Sequence, residues 1–118
     1  NDPEPDHIRF ETAATTYLLR AADIVYLQAR GNYLEIGCAD RTYCIRGTLA
    51  AMARRLDGGG FVRVHRSWMV NATAVRQVTA LPGARHSLTL NDGRTIPGGK
   101  AYYDVVIARF RAVLHRSA

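Results

Sequence analysis

The chain has 118 residues, 47% hydrophobic and 22% charged, which is enough to fold around one core without disulfides or metals. No apolar run is long enough to span a membrane, and no signal-peptide pattern opens the chain. The formal net charge is +6.

The positive charge is concentrated beyond the first eleven residues. Residues 1–11 hold four acids and one arginine, so the rest carries fifteen bases against six acids, a net +9. Such a surface attracts polyanions, either nucleic acid or an acidic membrane. Fifteen of the sixteen bases are arginine, which a GC-rich genome alone would also produce. Charge by itself therefore leaves the partner open.

The first seven residues, NDPEPDH, combine prolines with acids, a composition typical of an extended tether. We expect residues 1–7 to link a missing N-terminal region to a single folded domain at residues 8–118.

Short β-like segments dominate that domain and are separated by turn sequences such as Gly-Asn, Pro-Gly and Asn-Asp-Gly. Regular spacing without long helices between the segments predicts a mostly β fold of about ten short, mainly antiparallel strands in packed sheets. The predicted strands are 8–12, 16–20, 24–29, 33–38, 42–46, 61–65, 67–70, 75–81, 86–91 and 94–97.

Two helices are predicted among the strands. The first covers 48–56, with Thr48 as N-cap and Gly58 as the stop. The second begins at about residue 100 and is expected to run to 116, because apolar residues recur at helical spacing from Tyr103 to Leu114.

Cys38 and Cys44 are the only cysteines. They flank a predicted hairpin turn, so a disulfide between them is geometrically conceivable, although the reduced state is commoner without a secretory context. No histidine lies at metal-ligand spacing from either cysteine, so we expect no metal site and no cofactor.

An enzyme is the function class that the sequence disfavours most. The four histidines and the acids are scattered, and Ser67, two residues from His65, has no third residue to orient a catalytic base. The GGG at 58–60 lacks the frame of a phosphate-binding loop.

The stretch FVRVHRSWMVN at 61–71 has an unusual pattern. Val62 and Val64 share one face of a strand, but the pattern then breaks at Arg66. We interpret this as a rigid strand end that presents Arg66 outward, where its planar fork suits guanine or phosphate. The alternatives are a surface salt bridge for Arg66 and a hydrogen-bonded structural role for His65. Asn71 is expected to cap a short helical turn.

Four segments, in order, resemble the LytTR DNA-binding domain of bacterial transcriptional regulators. They are DIVYLQARGNYLEI, TYCIRGTLAAMARRL, FVRVHRSWMVNATAV and DGRTIPGGKAYYD. The resemblance spans residues 8 to 110, and its most specific element is His-Arg-Ser. It implies a mostly antiparallel β-fold whose loops, rather than a recognition helix, enter successive major grooves.

The resemblance also implies which residues contact DNA. The principal ones are Asn32 and Tyr33 in the GNY turn, Arg66 after the motif histidine, and Lys100 before the C-terminal helix. The family often has Ser-Arg where this chain has Gly99-Lys100, a point charge in place of a fork. Free backbone N–H groups from Gly99 onward would favour phosphate there. Further candidates are His65 and Ser67, together with Arg30, Arg46 and Arg63 as phosphate contacts.

The sequence therefore predicts a DNA-binding output domain of a bacterial transcriptional regulator, acting on double-stranded DNA and binding direct repeats as two or more copies. The missing region is expected to be a receiver or membrane domain, and the location cytoplasmic or tethered to the inner membrane face. The main alternative is a basic protein-interaction or membrane-surface module. A weaker alternative is redox sensing through the two cysteines.

Overall fold

A computed structural model of the chain describes residues 7–56 and 59–116. These residues form eleven strands, two short α-helices and four 3₁₀ turns. The strands are β1 (His7–Glu11), β2 (Thr16–Arg20), β3 (Ile24–Arg30), β4 (Tyr33–Cys38), β5 (Thr42–Arg46), β6 (Phe61–His65), β7 (Trp68–Asn71), β8 (Val75–Leu81), β9 (Arg85–Leu90), β10 (Thr95–Pro97) and β11 (Leu114–Arg116). The helices are α1 (Leu49–Arg55) and α2 (Tyr103–Arg109), and the 3₁₀ turns are Ala21–Asp23, Ala72–Ala74, Lys100–Tyr102 and Arg111–Val113.

The mostly β, mainly antiparallel fold is confirmed. Each of the ten predicted strands forms, with bounds that differ by at most one residue from the prediction. His7 lies in β1 rather than in the tether, and residues 1–6 lie outside the described residues, as does the predicted stop at Gly58.

The second helix is shorter than predicted. It begins near residue 100, as expected, but α2 ends at Arg109, and the chain passes through the 3₁₀ turn Arg111–Val113 into β11. β11 pairs with β8 in parallel, with Leu114 opposite Val78. The prediction of helix up to residue 116 was wrong because the edge of β8 offers backbone hydrogen-bond partners to the last segment, which helical periodicity cannot reveal.

The strands form three sheets. A five-stranded sheet has the order β5-β4-β3-β7-β6, a four-stranded sheet the order β10-β9-β8-β11, and β1 pairs with β2 in a separate hairpin. All pairs are antiparallel except β11 with β8.

Two hydrophobic clusters hold these layers together. One lies where the five-stranded sheet meets α1 and the β1–β2 hairpin and includes Phe10 and Leu34. The other joins β6 and β7 to the four-stranded sheet and α2 and includes Val64, Leu88 and Val106. All five of these side chains are buried, and full burial of a side chain of this size contributes about 1.5–3 kcal/mol. β6 is therefore held in place by the packing of its buried side chains in the second cluster.

Local signals explain the capped elements. The Thr48 hydroxyl accepts a hydrogen bond from the Ala51 N–H at 3.2 Å and starts α1. Asn71 caps the turn Ala72–Ala74 by accepting from the Thr73 N–H at 3.1 Å. Both caps were predicted. None of the described helices is long and apolar enough to cross a membrane.

The two cysteines do not face each other. Cys44 lies opposite Glu35, whereas the Cys38 N–H donates to the Arg41 carbonyl at 2.9 Å. Cys38 is therefore displaced by three residues, about 10 Å, from the position opposite Cys44. An odd displacement also places the two side chains on opposite faces of the sheet, and both thiols are free. The conceivable disulfide does not occur in this fold.

Candidate nucleic-acid interface

The candidate residues collect at one end of the five-stranded sheet. In the register of β5, β4 and β3, Arg46 lies opposite Tyr33, and Tyr33 opposite Arg30. The Ala29 N–H donates to the Ser67 carbonyl at 2.9 Å and sets the β6–β7 turn beside the end of β3. Neighbouring strands are about 4.8 Å apart, so five strand ends span about 19 Å. We call this row, from Arg46 through Arg30–Tyr33 to His65–Ser67, the sheet end.

The turn between β3 and β4 has two residues, Gly31 and Asn32. Gly31 has a φ of +64°, so glycine takes the left-handed position at the first centre of the hairpin turn. Among the described residues, Ala84 is the one non-glycine with positive φ, so Asn32 does not share the left-handed backbone of Gly31. The Asn32 carbonyl accepts from the Gly47 N–H at 3.3 Å, and the residue is exposed. Its amide side chain therefore faces solvent from a fixed backbone.

Tyr33 and Arg46 form a cross-strand pair beside this turn. The Arg46 guanidinium carbon lies 5.5 Å from the centroid of the Tyr33 ring, a cation–π distance worth about 0.5–1 kcal/mol at an exposed site. Tyr33 is 46% exposed, so nearly half of its surface is open to solvent. The pair presents an aromatic ring and a cation together at the surface.

Arg30 is held by Glu35. The Arg30 Nη1 lies 3.2 Å from Glu35 Oε1, in an exposed ion pair that contributes about 0–1 kcal/mol. The other Glu35 oxygen accepts from the Tyr26 hydroxyl. Burial raises the pKa of Tyr26, and the hydrogen bond to Glu35 acts in the same direction. Arg30 therefore remains at the surface beside the turn, with its charge partly compensated.

The turn between β6 and β7 presents Arg66. The residue is exposed, and its side chain makes neither hydrogen bond nor ion pair with any residue in 7–56 or 59–116, so the surface salt bridge is not found. The Ser67 N–H donates to His65 Nδ1 at 3.0 Å, which supports the structural role of His65. With the bond from Ala29 to Ser67, the backbone around Arg66 is fixed while its guanidinium is uncommitted.

Arg63 points toward the same turn from β6. Its Nε donates to the His65 carbonyl at 3.2 Å, and its Nη2 donates to the Arg66 carbonyl at 2.7 Å. The guanidinium carbon lies 5.8 Å from the centroid of the Tyr102 ring. The guanidinium is thus hydrogen-bonded within the protein. The sequence suggested a phosphate contact for Arg63 and did not indicate these internal bonds.

Lys100 is brought to the sheet end by two glycines. The Gly99 N–H donates to the Val64 carbonyl at 2.8 Å, so the expectation of a free N–H at Gly99 was wrong. A Cβ at Gly99 would lie 3.2 Å from the His65 Cα, and one at Gly98 would lie 2.1 Å from His86 Nε2. Glycine at both positions lets the segment approach β6 and β9 closely. Exposed Lys100 follows at once, next to the turn that carries Arg66.

His86 is a site-related residue that sequence reasoning did not single out. It is 5% exposed, and neither ring nitrogen has a hydrogen-bond partner among the described residues. Burial lowers the pKa of His86, against a weaker opposing effect of the Ala84 backbone. The ring packs against Tyr103, with centroids 5.3 Å apart. Its burial could have been predicted from the alternation along β9, which places His86 on the same face as Leu88 and Leu90.

Comparison with known proteins agrees with this fold. The model of the LytTr DNA-binding domain family matches residues 14–111. The fold matches a solved LytTr DNA-binding domain of a putative methyl-accepting/DNA response regulator from Bacillus cereus, with a TM-score of 0.74 at 18% identity over 88% of this chain and 95% of that one. The architecture is thus that of a LytTr-type β-fold.

The chain belongs to the LytTR family of DNA-binding domains, a family that binds DNA in transcription regulation. It is 28% identical over 80 residues to the sensory transduction protein LytT of Bacillus subtilis, covering 68% of the chain and 33% of that protein. It is 32% identical over 102 residues to the CO-responsive transcriptional regulator RcoM of Rhodospirillum rubrum, covering 85% and 41%. The chain therefore spans about a third to two fifths of these relatives.

Proposed function

We propose that the chain is the sequence-specific DNA-binding output module of a transcriptional regulator, and that the sheet end together with Lys100 is its contact surface. The observation that carries this proposal is Arg66, an exposed guanidinium with no partner in residues 7–56 and 59–116, on a backbone fixed by hydrogen bonds. A cation held in this way loses little conformational entropy on binding. Among the described residues, no three His, Cys, Asp or Glu side chains are grouped to hold a metal.

Each residue receives a role from its chemistry. Arg66 reads a base edge through a bidentate contact, for which guanine is the usual partner. Asn32 offers an amide suited to adenine from the neighbouring turn. Lys100 contacts phosphate, since an ammonium acts as a point charge. Tyr33, Arg30 and Arg46 contact the DNA backbone beside the base-reading turns. His65 and Ser67 hold the turn of Arg66 in place.

The spacing of these elements determines what one copy reaches. The β3–β4 and β6–β7 turns are centred two strand spacings apart, about 10 Å, or about three base pairs at 3.4 Å each. Successive major grooves are about 34 Å apart, so these two turns alone do not reach both. We assign neighbouring base pairs to the two turns, and a phosphate beside them to Lys100, which lies next to the turn of Arg66.

The full-length protein is proposed to couple this module to a signal-receiving region. The names of the relatives, a sensory transduction protein and a CO-responsive transcriptional regulator, support a sensory N-terminal part, either a phospho-acceptor receiver domain or a membrane-anchored sensor. Two or more copies are proposed to occupy direct repeats in a promoter, in a regulator that works in the cytoplasm or at the inner face of the membrane.

Arg66→Ala tests the proposal. Preferred sites are first selected from random duplex DNA with the wild-type chain, and binding of preferred and unrelated duplexes is then compared across a salt series. We expect Arg66→Ala to lose about 1–3 kcal/mol on the preferred site and to relax preference at one or two base pairs. Melting should stay near that of the wild type, because an exposed side chain contributes little to the core.

Two outcomes would refute the proposal. Wild-type protein that selects no common sequence, and that binds acidic lipid vesicles as well as it binds DNA, would favour the membrane-surface alternative. Unchanged preference and affinity in Arg66→Ala would show that the turn does not read bases. Arg76→Ala is the matched control, because Arg76 is an exposed cation on β8, outside the sheet end.

A further inference from the structure

Arg63 differs from the other candidate cations because its guanidinium is directed at the backbone of the turn it precedes. Nε donates to the carbonyl of His65 at 3.2 Å and Nη2 to the carbonyl of Arg66 at 2.7 Å. These two carbonyls belong to the peptide groups immediately before and after the Arg66 Cα. One planar group therefore holds both peptide planes that determine the direction of the Arg66 side chain.

The surroundings of Arg63 exclude a simpler explanation by charge pairing. No carboxylate in residues 7–56 and 59–116 lies within ion-pair distance of its guanidinium. The guanidinium carbon lies 5.8 Å from the centroid of the Tyr102 ring. Tyr102 ends the 3₁₀ turn that starts at Lys100. Arg63 thus lies between the turn of Arg66 and the segment of Lys100.

We propose that Arg63 is a positioning residue for base readout: it fixes the backbone on both sides of Arg66 and does not itself contact DNA. This inference rests on the proposed function of Arg66. It replaces the expected phosphate contact as the role of Arg63, because Nε–H and one Nη2–H are already donated to the two carbonyls.

The geometry requires an arginine at this position. Nε and Nη2 are two donors held in one plane, and they meet two carbonyls that are one residue apart. A lysine has the same charge but concentrates its donors on one flexible atom and cannot reproduce this fork. Arg63→Lys therefore separates the effect of geometry from the effect of charge.

The first measurement uses the free protein. Arg63→Lys and Arg63→Gln should both shift the backbone amide resonances of residues 65–67 and speed hydrogen exchange of the Ser67 amide, while the resonances of the four-stranded sheet stay in place. Arg76→Gln, which removes an exposed charge on β8, should do neither. Unchanged resonances at 65–67 in both Arg63 variants would overturn the positioning role, independently of any DNA measurement.

The second measurement uses preferred and unrelated duplexes. Arg63→Lys and Arg63→Gln should each lose roughly 5- to 150-fold on the preferred duplex, the range expected for losing one bidentate base contact. Their affinity for unrelated duplex and their salt dependence should match the wild type. On an Arg66→Ala background Arg63→Lys should cause no further loss, because the contact that it positions is already absent.

The opposite pattern would identify a phosphate contact. In that case Arg63→Lys binds like the wild type, whereas Arg63→Gln weakens all duplexes alike and makes the salt slope shallower by about 0.9. Additive losses in the double variant would also overturn the proposal. If Arg66→Ala alone changes nothing on DNA, the proposed function of Arg66 fails, and the resonances of residues 65–67 then show separately whether Arg63 orders the turn.

Discussion

Replacing Gly98 by alanine tests how closely the Lys100 segment is packed. A Cβ at Gly98 would lie 2.1, 2.2 and 2.5 Å from three atoms of the His86 ring. An ordinary carbon contact is about 3.5 Å, so the ring or the segment has to move by about 1.4 Å. His86 is buried on β9 and packs against Tyr103, which leaves the segment as the part that is freer to move.

We expect Gly98→Ala to lower the free energy of unfolding by about 1–3 kcal/mol, the usual cost of overpacking. For a domain of this size each kcal/mol lowers Tm by roughly 3–6 °C. Movement of the segment also displaces Lys100, two residues along the chain. DNA affinity should therefore fall even at temperatures where the variant is fully folded.

Thermal and urea unfolding measure the first effect, and duplex binding at low temperature measures the second. Gly99→Ala is the matched control for stability: its Cβ would lie 3.2 Å from the nearest atoms, so a shift of a few tenths of an ångström is sufficient and the loss should be smaller. His86→Ala in the Gly98→Ala protein removes the clashing ring and should recover part of the loss, giving a favourable coupling energy in the double-mutant cycle. If Gly98→Ala unfolds like the wild type, or if the two substitutions are simply additive, the packing argument is refuted.

Two further predictions concern the same region. Because burial lowers the pKa of His86, the imidazole binds a proton more tightly in the unfolded chain than in the folded one. The free energy of unfolding should therefore fall below about pH 6.5, by at most about 1.4 kcal/mol per pH unit, and level off below the folded-state pKa. Melting curves of His86→Phe should show a weaker fall with pH, and curves parallel to those of the wild type would contradict the assignment. Lys100→Ala should weaken binding to all duplexes alike and make the salt slope shallower by about 0.9; a loss confined to the preferred site would mean that Lys100 reads a base. Lys100→Glu should weaken DNA binding without lowering Tm, because an acidic side chain is favourable at the start of a helix.

Turn chemistry made most of the fold predictable. Gly31, Gly83 and Gly93 have φ values of +64°, +80° and +89°, and each lies in a turn that the sequence marked by Gly-Asn, Pro-Gly or Asn-Asp-Gly. Such backbone preferences are local, so strand bounds follow from them directly. The end of α2 could not be predicted in this way. Whether Leu114 continues a helix or joins a sheet depends on the open edge of β8, far away in the sequence.

The local setting of each candidate residue was predictable from the sequence, but their arrangement was not. That Asn32 lies in a tight turn and Tyr33 beside it follows from the local sequence. That Lys100 lies next to the turn of Arg66 depends on a hydrogen bond from Gly99 to Val64, between residues 35 positions apart. The orientation of Arg63 was also hidden, because alternation along a strand predicts the face from which a side chain starts and not the carbonyls that its far end reaches.

The Gly-Gly-Lys sequence has a consistent physical explanation in this structure. The close approach of Gly98 to His86 and of Gly99 to His65 joins the four-stranded and five-stranded sheets under one short segment. A residue that follows such a tightly packed backbone starts from a well-defined position even when its own side chain is flexible.

Lysine at that position needs no planar fork, because a phosphate accepts an ammonium from many directions. A base edge accepts a donor from few directions. The turn of Arg66 has the backbone that such a contact would require, because three hydrogen bonds from Arg63 and Ala29 fix it. Rigid backbone with a planar fork at Arg66 and rigid backbone with a point charge at Lys100 are thus two different solutions, suited respectively to base readout and to phosphate contact.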